Sequence, residues 1–218
     1  MDKSVKSVEI KILLVDDHSV IRNGIIKMLT ANFPDAEYNE AANAAEVLQH
    51  IHETKYDLVI LDISMPGRNG LEVLKEVKAS QPETHVIIFS MYPEDQFAVR
   101  SIRNGASAYL TKDTSSKEFV TAIRRILKGE RYFTSSIMEL ITNDLQHDHD
   151  KSALQILSDR EYQVFLLISS GNNVSAIARE LSLSVKTISV YRSNILKKMN
   201  LKNNCGITYY AFKNKLVE

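Results

Sequence analysis

Five polar residues in the first half of the chain stand where apolar runs stop. Asp16 and Asp17 follow residues 12–15, Asp62 follows 58–61, Ser90 follows 86–89, and Lys112 comes just after 108–110. Carboxylates brought together repel one another, and a hard divalent cation relieves that repulsion. Mg2+ takes oxygen ligands, keeps several waters and commonly uses one or two carboxylates together with a phosphate oxygen. Asp17 and Asp62 suit direct contact, Asp16 acts partly through water, and the backbone carbonyl of Ser64 is a further candidate ligand. A carboxylate is also a nucleophile toward phosphorus, giving an aspartyl phosphate, and Asp62 is the best placed to be one. The Lys112 ammonium and the Ser90 hydroxyl would then stabilise charge on the transferring oxygens.

A single aspartate after a strand is ordinarily a cap or turn residue. That explanation must hold separately for the Asp16–Asp17 pair, for the Asp-Ile-Ser-Met-Pro-Gly turn at 62–67, for the serine and for the lysine, and their joint occurrence favours a built site. A magnesium-dependent phosphatase would need a second acid on the Asp62 loop to protonate a leaving group. Position 64 is serine, so the residues argue against an enzyme turning over a separate substrate.

Such a site needs elements that bring strand ends to one rim. The apolar runs at 12–15, 58–61, 86–89 and 108–110, with a weaker one at 36–41, read as buried parallel strands. Between and after them, residues 20–29, 44–51, 71–77, 96–102 and 119–127 place apolar side chains at helical spacing. Pro93 suits a first helical turn, and Ser115 with Glu118 has the spacing of a capping box. Five βα units in succession imply right-handed crossovers and a flavodoxin-like, doubly wound α/β sheet, whose strand carboxyl ends are where ligands bind.

At 218 residues the chain is long enough for two domains. Residues 1–131 form the α/β unit; 132–155 are a linker with a short helix at 135–144; 156–218 hold helical segments at 158–169, 173–181, 184–199 and 204–215 and make a small all-α domain. Residues 152–218 carry nine basic against four acidic side chains, so the second domain is the half suited to a polyanion. The two histidines of His147-Asp-His149-Asp are a weak metal signal, better read as solvated linker. Cys205 lies in a helical stretch and is expected to be buried. No signal peptide or membrane-length apolar run is visible, and a cytoplasmic protein is expected.

In the second domain, residues 173–181 and 184–199 are joined by a tight turn at Ser182-Leu183, the logic of a helix-turn-helix. Ile188, Tyr191, Ile195 and Met199 form the inward stripe. The opposite face presents Lys186, Ser189, Val190, Ser193 and Lys197, flanked by Thr187 and Lys198. Serine and lysine bond phosphates or base edges and a valine methyl packs on thymine, so double-stranded DNA is the implied partner. Against this, a polar helix face is often merely solvated, which would leave the chain a pure interaction protein.

Leu-Val-Asp-Asp-His at 14–18, Leu-Asp-Ile-Ser-Met-Pro at 61–66 with Gly70, and Tyr-Leu-Thr-Lys at 109–112 resemble the receiver domain of two-component response regulators. The resemblance implies that Asp62 takes a phosphoryl group from a sensor histidine kinase with Mg2+ present, and that Ser90 and Tyr109 form a switch. Ser64 and Tyr92 would flank the phosphate. Leu157-Ser-Asp-Arg-Glu161, Gly171-Asn-Asn, Ile177-Ala178 and Ser184-Val-Lys-Thr-Ile188 resemble the LuxR-type domain of the NarL/FixJ subfamily, a four-helix fold. Tyr191 departs from that pattern, where histidine is common, and the asparagines from Asn194 to Asn204 leave the target sequence open. The resemblance further implies a homodimer on phosphorylation, with the last helix as support. Ile207, Tyr210 and Ala211 either face the partner or pack within the monomer.

Overall fold

A computed structural model describes residues 10–146, 154–214 and 216–217. The stretch 147–153, with the His147/His149 pair, lies outside the described residues. The order is β1 (Lys11–Val15), α1 (Ser19–Asn32), β2 (Glu37–Ala41), α2 (Ala44–Glu53), β3 (Leu58–Leu61), α3 (Gly70–Ser80), β4 (His85–Ser90), α4 (Glu94–Arg103), β5 (Ala108–Thr111), α5 (Ser116–Ile126), α6 (Ser135–Gln146), α7 (Asp159–Ser169), α8 (Val174–Glu180), α9 (Val185–Lys198) and α10 (Asn204–Lys213).

The sheet is parallel with strand order β2-β1-β3-β4-β5, as expected of five βα units. Register places Val15 beside Leu61, and Ser90 beside Thr111, so the residues that follow β1, β3, β4 and β5 emerge at one edge. Alternate strand residues feed the two faces. Ile12, Leu14, Ile60 and Phe89 pack with Ile25 and Leu29 of α1 and Phe119 and Ile123 of α5. Leu13, Val15, Leu61 and Ile88 pack with Val47 of α2, Val73 of α3 and Phe97 of α4, in a core that runs on into Val164, Phe165 and Ile188 of the helical unit.

Two helix starts differ in detail from the sequence reading. Pro93 is the N-cap of α4 rather than its first turn. The Ser115 hydroxyl caps Glu118 N–H, but the Glu118 carboxylate accepts from the Tyr132 hydroxyl at 3.0 Å and so does not reach back to close a box. A full capping box forms instead at Ser158 and Glu161, at the start of α7.

Linker helix α6 lies along α4, with Ile137 buried, the Thr134 hydroxyl on the Glu94 carboxylate, and Arg103 paired with Asp144. The turn from α8 to α9 is made by Ser182 in a left-handed backbone conformation, φ +52°. Ile188, Ile195 and Met199 are buried under α9, while Tyr191 is half-buried. Cys205 is exposed, against expectation: α10 rests on α7 through Ile207 and Ala211, both fully buried, and the cysteine falls on the opposite side. Tyr210 meets the Phe165 ring edge-on at 6.2 Å. Packing inside the monomer therefore occupies Ile207, Tyr210 and Ala211. The outward apolar residues of α10 are Tyr209 and Phe212.

Candidate functional site

The rim at the carboxyl ends of the strands gathers Asp16, Asp62 and Lys112. Lys112 Nζ lies 2.5 Å from Asp16 Oδ2 and 2.7 Å from Asp62 Oδ2, and both carboxylates are 1% exposed. Lys112 arrives there because its N–H continues the sheet, donating to the Ser90 carbonyl at 2.8 Å. The other Asp62 oxygen, Oδ1, accepts the Ser64 N–H at 3.2 Å. Burial pushes the Asp62 carboxyl above its ordinary range, with the Lys112 ammonium pulling against it. For Lys112 burial works toward neutrality, but the two carboxylates win and hold the ammonium above its usual value.

The loop that carries Asp62 is fixed by a close approach. A Cβ at position 70 would stand 2.1 Å from the Asp62 carbonyl oxygen, so only glycine lets α3 start so near the strand end. Asn69 caps that helix, its side chain accepting from Leu71 N–H at 2.7 Å.

Asp62 stands outside the compact group of candidate ligand atoms found among the described residues. The compact set is Asp16, Asp17 and His18, whose candidate ligand atoms lie within 4.8 Å of one another. Sequence reasoning did not single out His18, although its place next to the acidic pair was the available signal. Its Nδ1 is 2.9 Å from Asp17 Oδ1. That oxygen is nevertheless buried with no donor aligned on it, an arrangement a hard cation would satisfy. The donor set of oxygens therefore fits a divalent ion, with Asp62 joined to it through Lys112.

Ser90 is fully buried and its hydroxyl accepts the Tyr92 N–H at 3.3 Å. Tyr109 is buried as well, and its hydroxyl donates to the Tyr92 carbonyl at 2.7 Å. Burial drives its pKa far above the ordinary phenol value. The serine, the tyrosine and the loop at Tyr92 are thus already in contact.

In the helical unit, Lys186, Thr187, Ser189, Val190, Ser193 and Lys197 do not share one environment with Lys198. Lys186, Ser189, Val190, Ser193 and Lys197 are exposed on α9. Thr187 lies at its first turn, hydrogen-bonded to Ser184, which caps the helix. Lys198 turns back to Glu161, Nζ to Oε2 2.6 Å, so its charge is neutralised inside the unit.

A parallel five-strand sheet with a lysine-bridged aspartate at its rim, joined to a helix-turn-helix, defines a signal-receiving DNA-binding protein. Residues 12–124 match the response regulator receiver domain, and residues 155–211 match the luxR family of bacterial regulatory proteins. The oxygen regulatory protein NreC of Staphylococcus haemolyticus is 33% identical over 215 residues, covering 95% of this chain and 99% of its own. The response regulator GacA of Pseudomonas aeruginosa is 33% identical over 210 residues, covering 96% and 98%. A LuxR-family response regulator from Aurantimonas sp. is similar in structure, with TM-score 0.56, 32% identity and coverage of 63% of this chain and 98% of that one. RcsB of Salmonella enterica, solved on promoter DNA with the phosphomimetic BeF3−, shares the fold with TM-score 0.62 at 21% identity, covering 93% and 98%. The chain belongs to the response regulators: it is a DNA-binding transcription regulator of a two-component system, with a receiver and a LuxR-type domain.

Proposed function

We propose that Asp62 is the phosphoacceptor and that its modification sets how the helical unit binds DNA. The observation that carries this reading is the position of Lys112, bonded at once to Asp62 and Asp16 at the sheet rim. An Asp62 carboxylate oxygen attacks phosphorus, and the N–P bond to the imidazole of a sensor kinase's phosphohistidine breaks. The imidazole keeps the electron pair and takes up a proton. The Lys112 ammonium and the Ser64 N–H hold the charge that gathers on the phosphoryl oxygens. Mg2+, bound by Asp16, Asp17, Asp62 and the Ser64 carbonyl, would neutralise further charge on those oxygens. With serine at position 64 the loop has no second acid to protonate the leaving group of a phosphoester, so the chain is not a turnover enzyme.

The new dianion recruits the Ser90 hydroxyl, which now bonds the Tyr92 N–H, and the Tyr92–Tyr109 contact shifts with it. Lys186, Thr187, Ser189, Val190, Ser193, Lys197 and Lys198 meet the major groove, with Lys198 held in second rank by Glu161. A homodimer on a two-half-site element and a cytoplasmic location follow from that partner. No described helix is long and apolar enough to cross a membrane.

Incubation with a small-molecule phosphodonor and Mg2+ tests the acceptor. The unsubstituted chain should gain a hydroxylamine-labile label and Asp62→Asn none. An equal label on Asp62→Asn would move the nucleophile elsewhere.

A further inference from the structure

Asp16 is held at every polar atom. Its N–H donates to the Ala41 carbonyl at 3.2 Å, Oδ1 accepts the His18 N–H at 2.8 Å, Oδ2 takes the Lys112 ammonium at 2.5 Å, and its carbonyl accepts from Arg22 Nη1 at 2.6 Å. The last of these bonds acts beyond Asp16. That carbonyl belongs to the peptide joining Asp16 to Asp17, and a peptide unit is planar from one Cα to the next. Fixing its oxygen therefore fixes the direction in which the Asp17 side chain leaves the backbone. Asp17 depends on this, because its Oδ1 is buried with no donor aligned on it.

Arg22 reaches the loop because of its place in α1. Helix side chains lean toward the N-terminus. Arg22 stands in the first turn, its N–H on the His18 carbonyl at 3.1 Å, so its guanidinium comes back over the acidic loop. A second arm is fixed from the neighbouring strand: Nε donates to Glu40 Oε2 at 2.8 Å. Register sets Glu40 beside Leu14, which packs against α1, so the carboxylate stands on the α1 side of the sheet. The Arg22 side chain is 15% exposed and that of Glu40 43%. One planar guanidinium thus ties β2, α1 and the Asp16–Asp17 peptide together, with donors at fixed angles that an ammonium does not offer.

We propose that Arg22, held by Glu40, is the positioning residue of the cation site, orienting Asp17 toward the divalent ion through the Asp16 carbonyl; this rests on Asp16, Asp17 and Asp62 binding that ion. Groups that orient metal ligands typically change affinity about 10- to 100-fold when removed. Charge and position pull in opposite directions here. Arg22 is a cation bonded to the acidic loop, so on Coulomb repulsion alone its removal should tighten the binding of a divalent ion. As a clamp, its removal should weaken it. Glu40 offsets the guanidinium charge, which leaves position as the larger effect.

Binding of Mn2+ to the full chain without phosphodonor tests this, since Mn2+ takes the same oxygen ligands as Mg2+ and its free fraction is counted by electron paramagnetic resonance. Asp17→Asn should lose the binding, which places the ion. Arg22→Ala should raise the Kd for Mn2+ about tenfold or more. Arg22→Lys keeps the charge and loses the fork, so its Kd should fall between those two chains and measures geometry alone. Glu40→Ala, at an exposed position that spares the core, should weaken binding too, and should add little on top of Arg22→Ala because both cut one clamp. In the labelling reaction the Mg2+ needed for half-maximal label on Asp62 should rise by the same factor, while the label at saturating Mg2+ falls far less. A merely loosened fold would lower both alike, and that result would overturn the positioning role. Equal or tighter Mn2+ binding by Arg22→Ala and Arg22→Lys would overturn the clamp and leave the cation site in place. Losses that simply add in the doubly substituted chain would overturn the pairing of Arg22 with Glu40. No saturable Mn2+ binding by the unsubstituted chain would overturn the cation assignment, and the clamp with it.

Discussion

The rim of the sheet and the outward face of α9 are built on opposite terms. At the rim, Asp16 and Asp62 are 1% exposed and a single ammonium bonds both. On α9, Lys186, Ser193 and Lys197 project into solvent, and the Ser189 hydroxyl turns back on the Val185 carbonyl at 2.8 Å. A buried polar group must be matched within the protein, so its partners describe its chemistry. An exposed one is matched by water until a ligand arrives, and the fold says little about what that ligand is. The receiver half therefore explains itself residue by residue, whereas the DNA-facing half gives a surface.

Substitutions should divide along the same line. Gly70→Ala strikes the rim hardest: its Cβ would fall 2.1 Å from the Asp62 carbonyl, and backbone has to shift. A loss of about 3 kcal/mol in receiver stability is expected from overpacking of this kind, measured by urea unfolding. A variant as stable as the parent would mean that the Asp62 loop is free to move. On the other half, replacing both Lys186 and Lys197 by alanine should leave stability and labelling alone. The log–log salt slope of DNA affinity should flatten by about 0.9 for each phosphate that the protein no longer neutralises. An unchanged slope would move the DNA-binding face off α9.

The smallest effect belongs to a buried polar group on the DNA-binding half, where the first half's rule should reappear. Burial alone would raise the Glu161 carboxyl, but the Lys198 ammonium and the Ser158 N–H and hydroxyl outweigh it and hold the pKa below the ordinary range. A carboxyl depressed in the folded state stabilises above its unfolded pKa, roughly 4.3, and that stability is lost as pH falls through the folded value. Glu161→Ala should cost about 1 kcal/mol at neutral pH through the broken capping box and ion pair, and should flatten the acid limb of a stability–pH curve. An acid limb as steep as the parent's would assign the titration to another group.

The contrast also accounts for what could be read from the residues alone. Asp62 and Lys112 stood out because polar residues recur where apolar strands end, whereas Gly70 entered only with the receiver-like motif, and the close approach that requires it is a matter of the fold. All five strands and the four helices of the second unit were legible from apolar spacing, with ends shifted by a residue or two. Cys205 was misplaced because α10 is short and its stripe, set by Ile207 and Ala211, leaves position 205 outward. Gln163, Arg160 and Asp159, which bond Asn69, the Gly67 carbonyl and Lys75, were missed as an inter-unit contact. Polar residues at the start of a helix read as caps and solvated turns, and nothing local tells them from a docked surface. The signal lay in the rest of α7, where Tyr162, Val164, Phe165, Leu166, Leu167 and Ile168 run together: a helix apolar on every side has to be covered on every side.

What joins the two regions is the claim that the state of one carboxylate at the rim governs the other half's hold on DNA. The direct measurement is the DNA affinity of the full chain at fixed salt, with and without beryllofluoride and Mg2+, for the unsubstituted protein and for Asp62→Asn. The affinity should change on adding beryllofluoride to the unsubstituted protein and stay constant for Asp62→Asn; the same response from both chains, or none from either, would contradict it.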